Sequence, residues 1–191
     1  MKTTVLPAVV SLTVFLTSGC APEDGLYFQD PKPGDDPQVV RLGTSSNVDS
    51  VRTVASTLRS NGFMVTREEP SSGIVEATAD GAAFVDCGII TQYALGNRAE
   101  FAGSSPSAVI FLGGETAEFV LRRVSASTAT RIMIQDSVAN VTESHDVTMS
   151  WSDPEGNVTS TDRRWVRPGE PTRFKDNTAC VTSDRVANLL R

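Results

Sequence analysis

The sequence predicts an α+β domain, mainly an antiparallel sheet, with one helix near its start and one at its end packed on it. Three observations predict it. From residue 38 onward the candidate elements run strand, helix, a long succession of strands, helix, with no βαβ repeat to demand a parallel sheet. β-branched residues crowd residues 108–166, where Ile132/Ile134 and Val147/Met149/Trp151 alternate with their neighbours at period two. The composition, 39 % hydrophobic and 21 % charged over 191 residues, is that of an ordinary globular chain large enough for one core.

The elements follow in order. "QVVRL" (38–42) is a short strand, and "GTSSN" after it is helix-entry chemistry in which Ser46 or Asn47 caps. Val48, Val51, Ala55 and Leu58 recur at helical spacing, and Gly62 stands where a left-handed C-terminal cap is wanted. "FMVTREE", "PSSG" and "IVEATA" read as strand, turn and strand. A strand is expected around Cys87, and "RAEFAGSSPSA" (98–108) reads as a long loop. Strands return in "AVIFLGG", "AEFVLRRVSA", "TRIMIQDSVANVT" and "DVTMSWSD", and "DPEGN" (153–157) turns the last of these into "VTSTDRRWV" as a hairpin. "TSDRVANLLR" closes the chain as a short helix, with Ser183 as cap and Val186, Leu189 and Leu190 as its apolar stripe.

The first residues are of another kind. Met1 and Lys2 precede "VLPAVVSLTVFL", roughly a dozen apolar or small residues, which suits a signal-peptide core and falls short of the ~20 that span a bilayer. The run ends in "LTSGC" (16–20). Ser18 and Gly19 before Cys20 resemble the lipobox of bacterial lipoproteins, with Thr17 standing where that family usually has Leu. The resemblance implies cleavage before Cys20, acylation of its thiol by fatty chains such as palmitate, and lasting attachment to a membrane. An ordinary secretory peptide cut nearby is the alternative, and it leaves Cys20 unexplained. Ala21 in the next position resembles the sorting pattern for the outer membrane of a Gram-negative cell, which implies a domain facing the periplasm.

The expected organisation is a signal peptide over 1–19, a flexible tether over 20–37, rich in Pro, Gly and Asp, and a globular domain over 38–191. "LYF" (26–28) is an apolar cluster inside the tether, either a local packing anchor or a segment that docks on a partner. With Cys20 taken by lipid, Cys87 and Cys180 remain as an even pair in an oxidising compartment, where a disulfide is the natural reading and two separate buried thiols the alternative.

No metal or cofactor is expected, because these two cysteines and His145 lack C-x-x-C or H-x-x-x-H spacing and "DPEGN" lacks the ligand run of a calcium loop. A formal charge of −6 argues against a nucleic-acid partner, which needs a clustered basic surface. No G-x-S-x-G, S-x-x-K, H-E-x-x-H or phosphate-loop motif is present, and no catalytic residue is expected. His145 lies beside Glu143, Ser144 and Asp146, but it reads as a solvated loop or strand histidine rather than a catalytic base. Glu68/Glu69 and Glu115/Glu118 are the carboxylate pairs a cell-wall hydrolase would need, and Glu68 and Glu69 read as residues solvating a turn.

Binding candidates are Trp151, Arg163, Arg164 and Trp165, since Arg and Trp dominate binding hot spots when exposed. The two tryptophans, on adjacent strands, either pair across one face in the core or form an exposed interaction patch. Residues 48–77, "NGFMVTREEPSSGIVEA" included, are similar in pattern to the small helix-and-meander domains of BamC-type outer-membrane lipoproteins. That resemblance implies an envelope accessory or scaffold. The expectation is a non-enzymatic, lipid-anchored protein that binds other envelope proteins. The alternatives are an envelope hydrolase with an unrecognised carboxylate site and a small-ligand carrier.

Overall fold

The computed structural model describes residues 25–34, 37–43, 46–112 and 118–191. The signal peptide, Cys20 and Glu115 lie outside the described residues. The elements begin β1 (Gly25–Gln29), β2 (Gln38–Arg41), α1 (Asn47–Ser60), β3 (Met64–Glu69) and β4 (Ile74–Asp80). A single 3-10 turn (Ala82–Phe84) leads into β5 (Val85–Asp86), β6 (Ile89–Ala94), β7 (Asn97–Ala102) and β8 (Ser107–Leu112). Then come β9 (Glu118–Gln135), β10 (Val138–Ser152), β11 (Val158–Val166), β12 (Thr172–Arg173), β13 (Ala179–Thr182) and α2 (Arg185–Leu189).

One hairpin organises the fold. β9 and β10 are 18 and 15 residues long and pair without interruption from Gln135↔Val138 to Leu121↔Ser152. Asp136 and Ser137 turn the chain with φ of 49° and 60°, and two positive-φ residues give the turn whose twist suits a two-residue hairpin. At the turn end, β4 and β3 extend the sheet beyond β9 while β2 pairs with β10; at the open end, β8 pairs with β9 and β11 with β10. Every pairing is antiparallel.

Parity along β9 divides the sheet into two faces: Val120, Val124, Ala126, Ile132 and Ile134 are buried, and Phe119, Arg123, Ser125, Ser127, Ala129, Arg131 and Met133 are exposed. The inner face carries two cores. At the turn end α1 lays Val51, Val54, Ala55 and Leu58 on Val75, Ala77, Ile132, Ile134 and Val141, and burying each of its Val and Leu side chains contributes about 1.5–3 kcal/mol. Ser46 starts the helix, its Oγ accepting from the Asp49 N–H at 3.1 Å, and Gly62 follows its end at φ 85°. At the open end Val124, Val147, Met149 and Val166 are covered by Val85, Phe174 and the Cys87–Cys180 disulfide.

Five expectations change. Residues 25–29, read as tether, form β1 and pair with β6 over five positions, with Tyr27 and Tyr93 edge to face at 5.5 Å; their apolar side chains find a free strand edge to pair with. Residues 97–102 are not loop but β7, the partner of β6. "AEFVLRRVSA" and the first part of "TRIMIQDSVANVT" form one strand, because the turn falls at Asp136 and Ser137 without glycine or asparagine to mark it. The terminal helix has only five residues; Ser183 Oγ accepts from the Arg185 N–H at 3.3 Å at its start and also donates to the Phe84 carbonyl, while Asp184 makes no side-chain cap bond. The helices cover only the turn-end core, and short β elements with the disulfide cover the other.

Candidate functional site

The outer face of the long sheet is built of cross-strand rows. Asp80, Ser127, Asp146 and Trp165 stand side by side across β4, β9, β10 and β11. One row toward the open end are Ser125, Thr148 and Arg163; one row toward the turn are Thr78, Ala129 and Ser144, followed by Glu76, Arg131 and Thr142. The two central strands carry mostly small side chains on this face, Ser125, Ser127 and Ala129 on β9 and Thr142, Ser144 and Thr148 on β10, interrupted by Asp146, Arg123 and Arg131. A hollow of about 450 Å³ lies over Asp80, Ser127, Asp146 and Arg163, and another of about 400 Å³ over Thr78, Ala129, Ser144 and Arg167.

The four predicted binding residues divide between the faces. Arg163 and Trp165 point outward, whereas Arg164, opposite Val147, and Trp151, opposite Ser160, fall on the inner parity. The tryptophans therefore do not pair. Trp151 is half-buried against the open-end core, and Trp165 is 58 % exposed. Arg163 grips the Asp146 carboxylate with Nε, at 2.8 Å to Oδ1, and with Nη2, which holds the carboxyl below its ordinary range. Arg164 binds Asp162 at 3.2 Å, and Asp162 also accepts the Lys175 N–H, tying β11 to the segment after it.

His145 is not solvated, contrary to the sequence reading. It is 0 % exposed, on the inner face, with Nδ1 hydrogen-bonded to Thr128 Oγ1 at 2.9 Å and Nε2 3.7 Å from the Glu143 carboxyl. Glu143 is 3 % exposed; the Val186 N–H is directed at its carboxyl but outside good hydrogen-bond geometry, and His145 Nε2 has no hydrogen-bond partner among the described residues. Burial, and secondarily the charge of Asp184, push Glu143 up to about 8; burial pushes His145 down to about 4. Near neutral pH the two are a protonated carboxyl and a neutral imidazole. Asp146 lies on the opposite face, so the imagined cluster of His145 with both carboxylates does not assemble.

The Glu68 carboxylate binds Arg59 at 2.7 Å, and Glu69 binds Arg67 and Ser72 at 2.8 Å each. Each carboxylate is thus held in its own solvent-accessible ion pair. Asp153 caps the "DPEGN" turn, accepting from the Asn157 N–H at 2.7 Å, with Gly156 at φ 90°.

Arg122, to which the sequence analysis gave no role, is 0 % exposed. It donates to Asp176 at 3.0 Å, to the Gly103 carbonyl at 2.8 Å and toward Met149 Sδ at 3.1 Å. Burial lowers its pKa against the opposing pull of Asp176. Gly103 has to be glycine, because a Cβ there would stand 2.1 Å from the Cys87 carbonyl oxygen. The signal that could have found Arg122 is its parity between Val120 and Val124. It holds β9, the turn after β7 and the segment before β13 in one place.

Among the described residues no group of three His, Cys, Asp or Glu side chains is placed to hold a metal ion, and no helix is long and apolar enough to cross a membrane. Compared with protein-family models, with curated proteins and with solved structures, the chain matches none.

Proposed function

We propose that this protein is a non-enzymatic accessory of the bacterial envelope, anchored by lipid at Cys20 to the periplasmic face of the outer membrane, and that it binds other envelope proteins through the outer face of its long sheet. The anchor and the location rest on the lipobox resemblance at 16–20. The observation that carries the binding role is Trp165, 58 % exposed beside the Arg163–Asp146 ion pair, on a sheet face whose side chains stay open to solvent along β9 while the helices pack on the other face. An exposed Trp next to a fixed guanidinium is the composition of a hot spot.

Affinity purification of the tagged protein from intact envelopes tests the reading. Wild type is expected to retain a defined set of proteins, and Arg163→Ala/Trp165→Ala, both exposed and outside the cores, is expected to lose them by more than tenfold with an unchanged melting temperature. Equal recovery by both proteins would remove the sheet face from the account. The anchor is tested separately by labelling with a clickable fatty acid, where Cys20→Ser is expected to abolish incorporation and equal labelling would refute lipidation.

A further inference from the structure

β7 is an edge strand: in its three-stranded sheet its one neighbour among the described residues is β6. Asn97, Arg98, Ala99 and Glu100 are all exposed, whichever face they take, so this stretch stands clear of the body, while β8 packs on β6 and β1. The hairpin geometry fixes which backbone groups are spare. Leu95 and Gly96 turn the chain with φ of 52° and 76°, a two-residue turn whose flanking pair, Ala94 and Asn97, exchanges hydrogen bonds. The same phase holds at the far end, where the Gly103 N–H donates to the Gly88 carbonyl at 2.9 Å. Asn97, Ala99 and Phe101 therefore address β6, and the N–H and C=O groups of Arg98 and Glu100 point away from it. The Arg98 and Glu100 side chains share one face and form an ion pair along the strand.

We propose that β7 pairs edge to edge with β7 of a second copy of this chain, antiparallel about a two-fold axis at Ala99, joining the two three-stranded sheets into one continuous sheet. This edge belongs to a different sheet from the face proposed above and does not depend on that role. The spare groups admit only registers that set Arg98 or Glu100 against an outward-pointing residue of the second copy. Charge then selects among them. Centring on Arg98 or on Glu100 sets like charges directly opposite, which is destabilising. Centring on Phe101 sets Glu100 against Ala102, whose carbonyl already accepts the Ser105 N–H at 2.9 Å. Centring on Ala99 sets Arg98 of each copy against Glu100 of the other, and each such pair exchanges both backbone hydrogen bonds. Only the small Ala99 side chains meet at the axis. Both copies use the same surface, so association closes at the dimer. A strand of six residues buries far less than a stable dimer interface, and the contact is weak and reversible in solution.

The test uses the axis itself, which makes position 99 its own neighbour at about 4.5 Å between Cα atoms, within disulfide reach. In the full chain, solubilised in detergent, Ala99→Cys should give a disulfide-linked dimer under mild oxidation. Asn97→Cys, on the same face but about 14 Å from its counterpart, should give about fivefold less. Cys20 is present in every variant, and the unsubstituted chain measures its contribution. Adding Arg98→Glu to Ala99→Cys sets Glu against Glu and should lower the dimer yield about fivefold, and adding Glu100→Arg as well should restore it. Equal linkage at 97 and 99, or a yield at 99 that Arg98→Glu leaves unaltered, would overturn the proposal. All the substituted positions are exposed. If the cysteine variants do not fold, sedimentation of the wild-type and Arg98→Glu chains up to about 1 mM decides. A dimer that grows with concentration in the wild type alone is expected, and identical behaviour of the two chains would contradict the proposal.

Discussion

Glu143 and His145 are inside because of parity. They alternate with Thr142 and Ser144 along β10 and share the face of Val141 and Val147, as Arg122 shares that of Val120 and Val124 on β9. The alternation was legible in the sequence. The burial of these three was not, because polarity argues for solvent unless the strand's register is taken as binding on every residue in it. Their titration gives a signed expectation. Between 4.5 and about 8 the unfolded chain has lost the Glu143 proton that the folded chain keeps, so stability falls as pH rises. Between about 4 and 6.5 the unfolded chain holds a proton on His145 that the folded chain lacks, so stability rises with pH. The slopes cancel where they overlap, and above pH 6.5 only the Glu143 limb remains, worth about 1.4 kcal/mol per pH unit until the carboxyl itself ionises. Urea unfolding across pH 6.5–8 should show this decline in wild type and a flatter curve in Glu143→Gln. A wild-type curve that stays flat or climbs with pH over that interval would mean that the folded chain does not keep the Glu143 proton there.

At the scale of elements, α1 was legible from end to end because its cap, its apolar spacing and Gly62 all agree. The hairpin of β9 and β10 was legible as β structure but not as one hairpin, since Asp136 and Ser137 adopt positive φ without the residues that usually announce such a turn. β1 was hidden by composition: its flanks are rich in Pro, Gly and Asp, and only pairing with the distant β6 makes it a strand. Replacing residues 26–28 with Gly and Ser should therefore lower the melting temperature by about 5 °C, given 2–4 °C per kcal/mol for a chain of this size and the half-buried Leu26 and Phe28. An unchanged transition would return the segment to the tether. The disulfide joins the end of β5 to β13, whose four residues are all buried, across a separation of 93 residues. Closing such a loop restricts the unfolded chain by about 4–5 kcal/mol in the chain-entropy model. Cys87→Ala/Cys180→Ala should then melt about 10 °C lower. A shift under a few degrees would show that the buried strand holds itself.

At the scale of the whole molecule, the described residues form three sheets, of which the seven-stranded one has one face packed with helices and core and one face open. α1, α2, the disulfide, β5 and β13 pack on the inner side, where Arg122, Glu143 and His145 are buried. The outer side carries the hydroxyl rows, the ion pair and Trp165, and it is the surface proposed above for binding. The fold class followed from element order and alternation. The division of labour between the faces did not, because "RRW" (163–165) reads the same whether Arg163 and Trp165 or Arg164 points outward, and only the pairing of Asp146 with Trp165 decides it. The most direct measurement places a photo-crosslinking amino acid at Trp165 in one protein and at Val48, an exposed position on α1, in another, and irradiates both in intact envelopes. Position 165 is expected to capture discrete protein partners and position 48 to capture none. Partners captured from position 48 with nothing from position 165 would contradict the claim that the outer sheet face is the working surface.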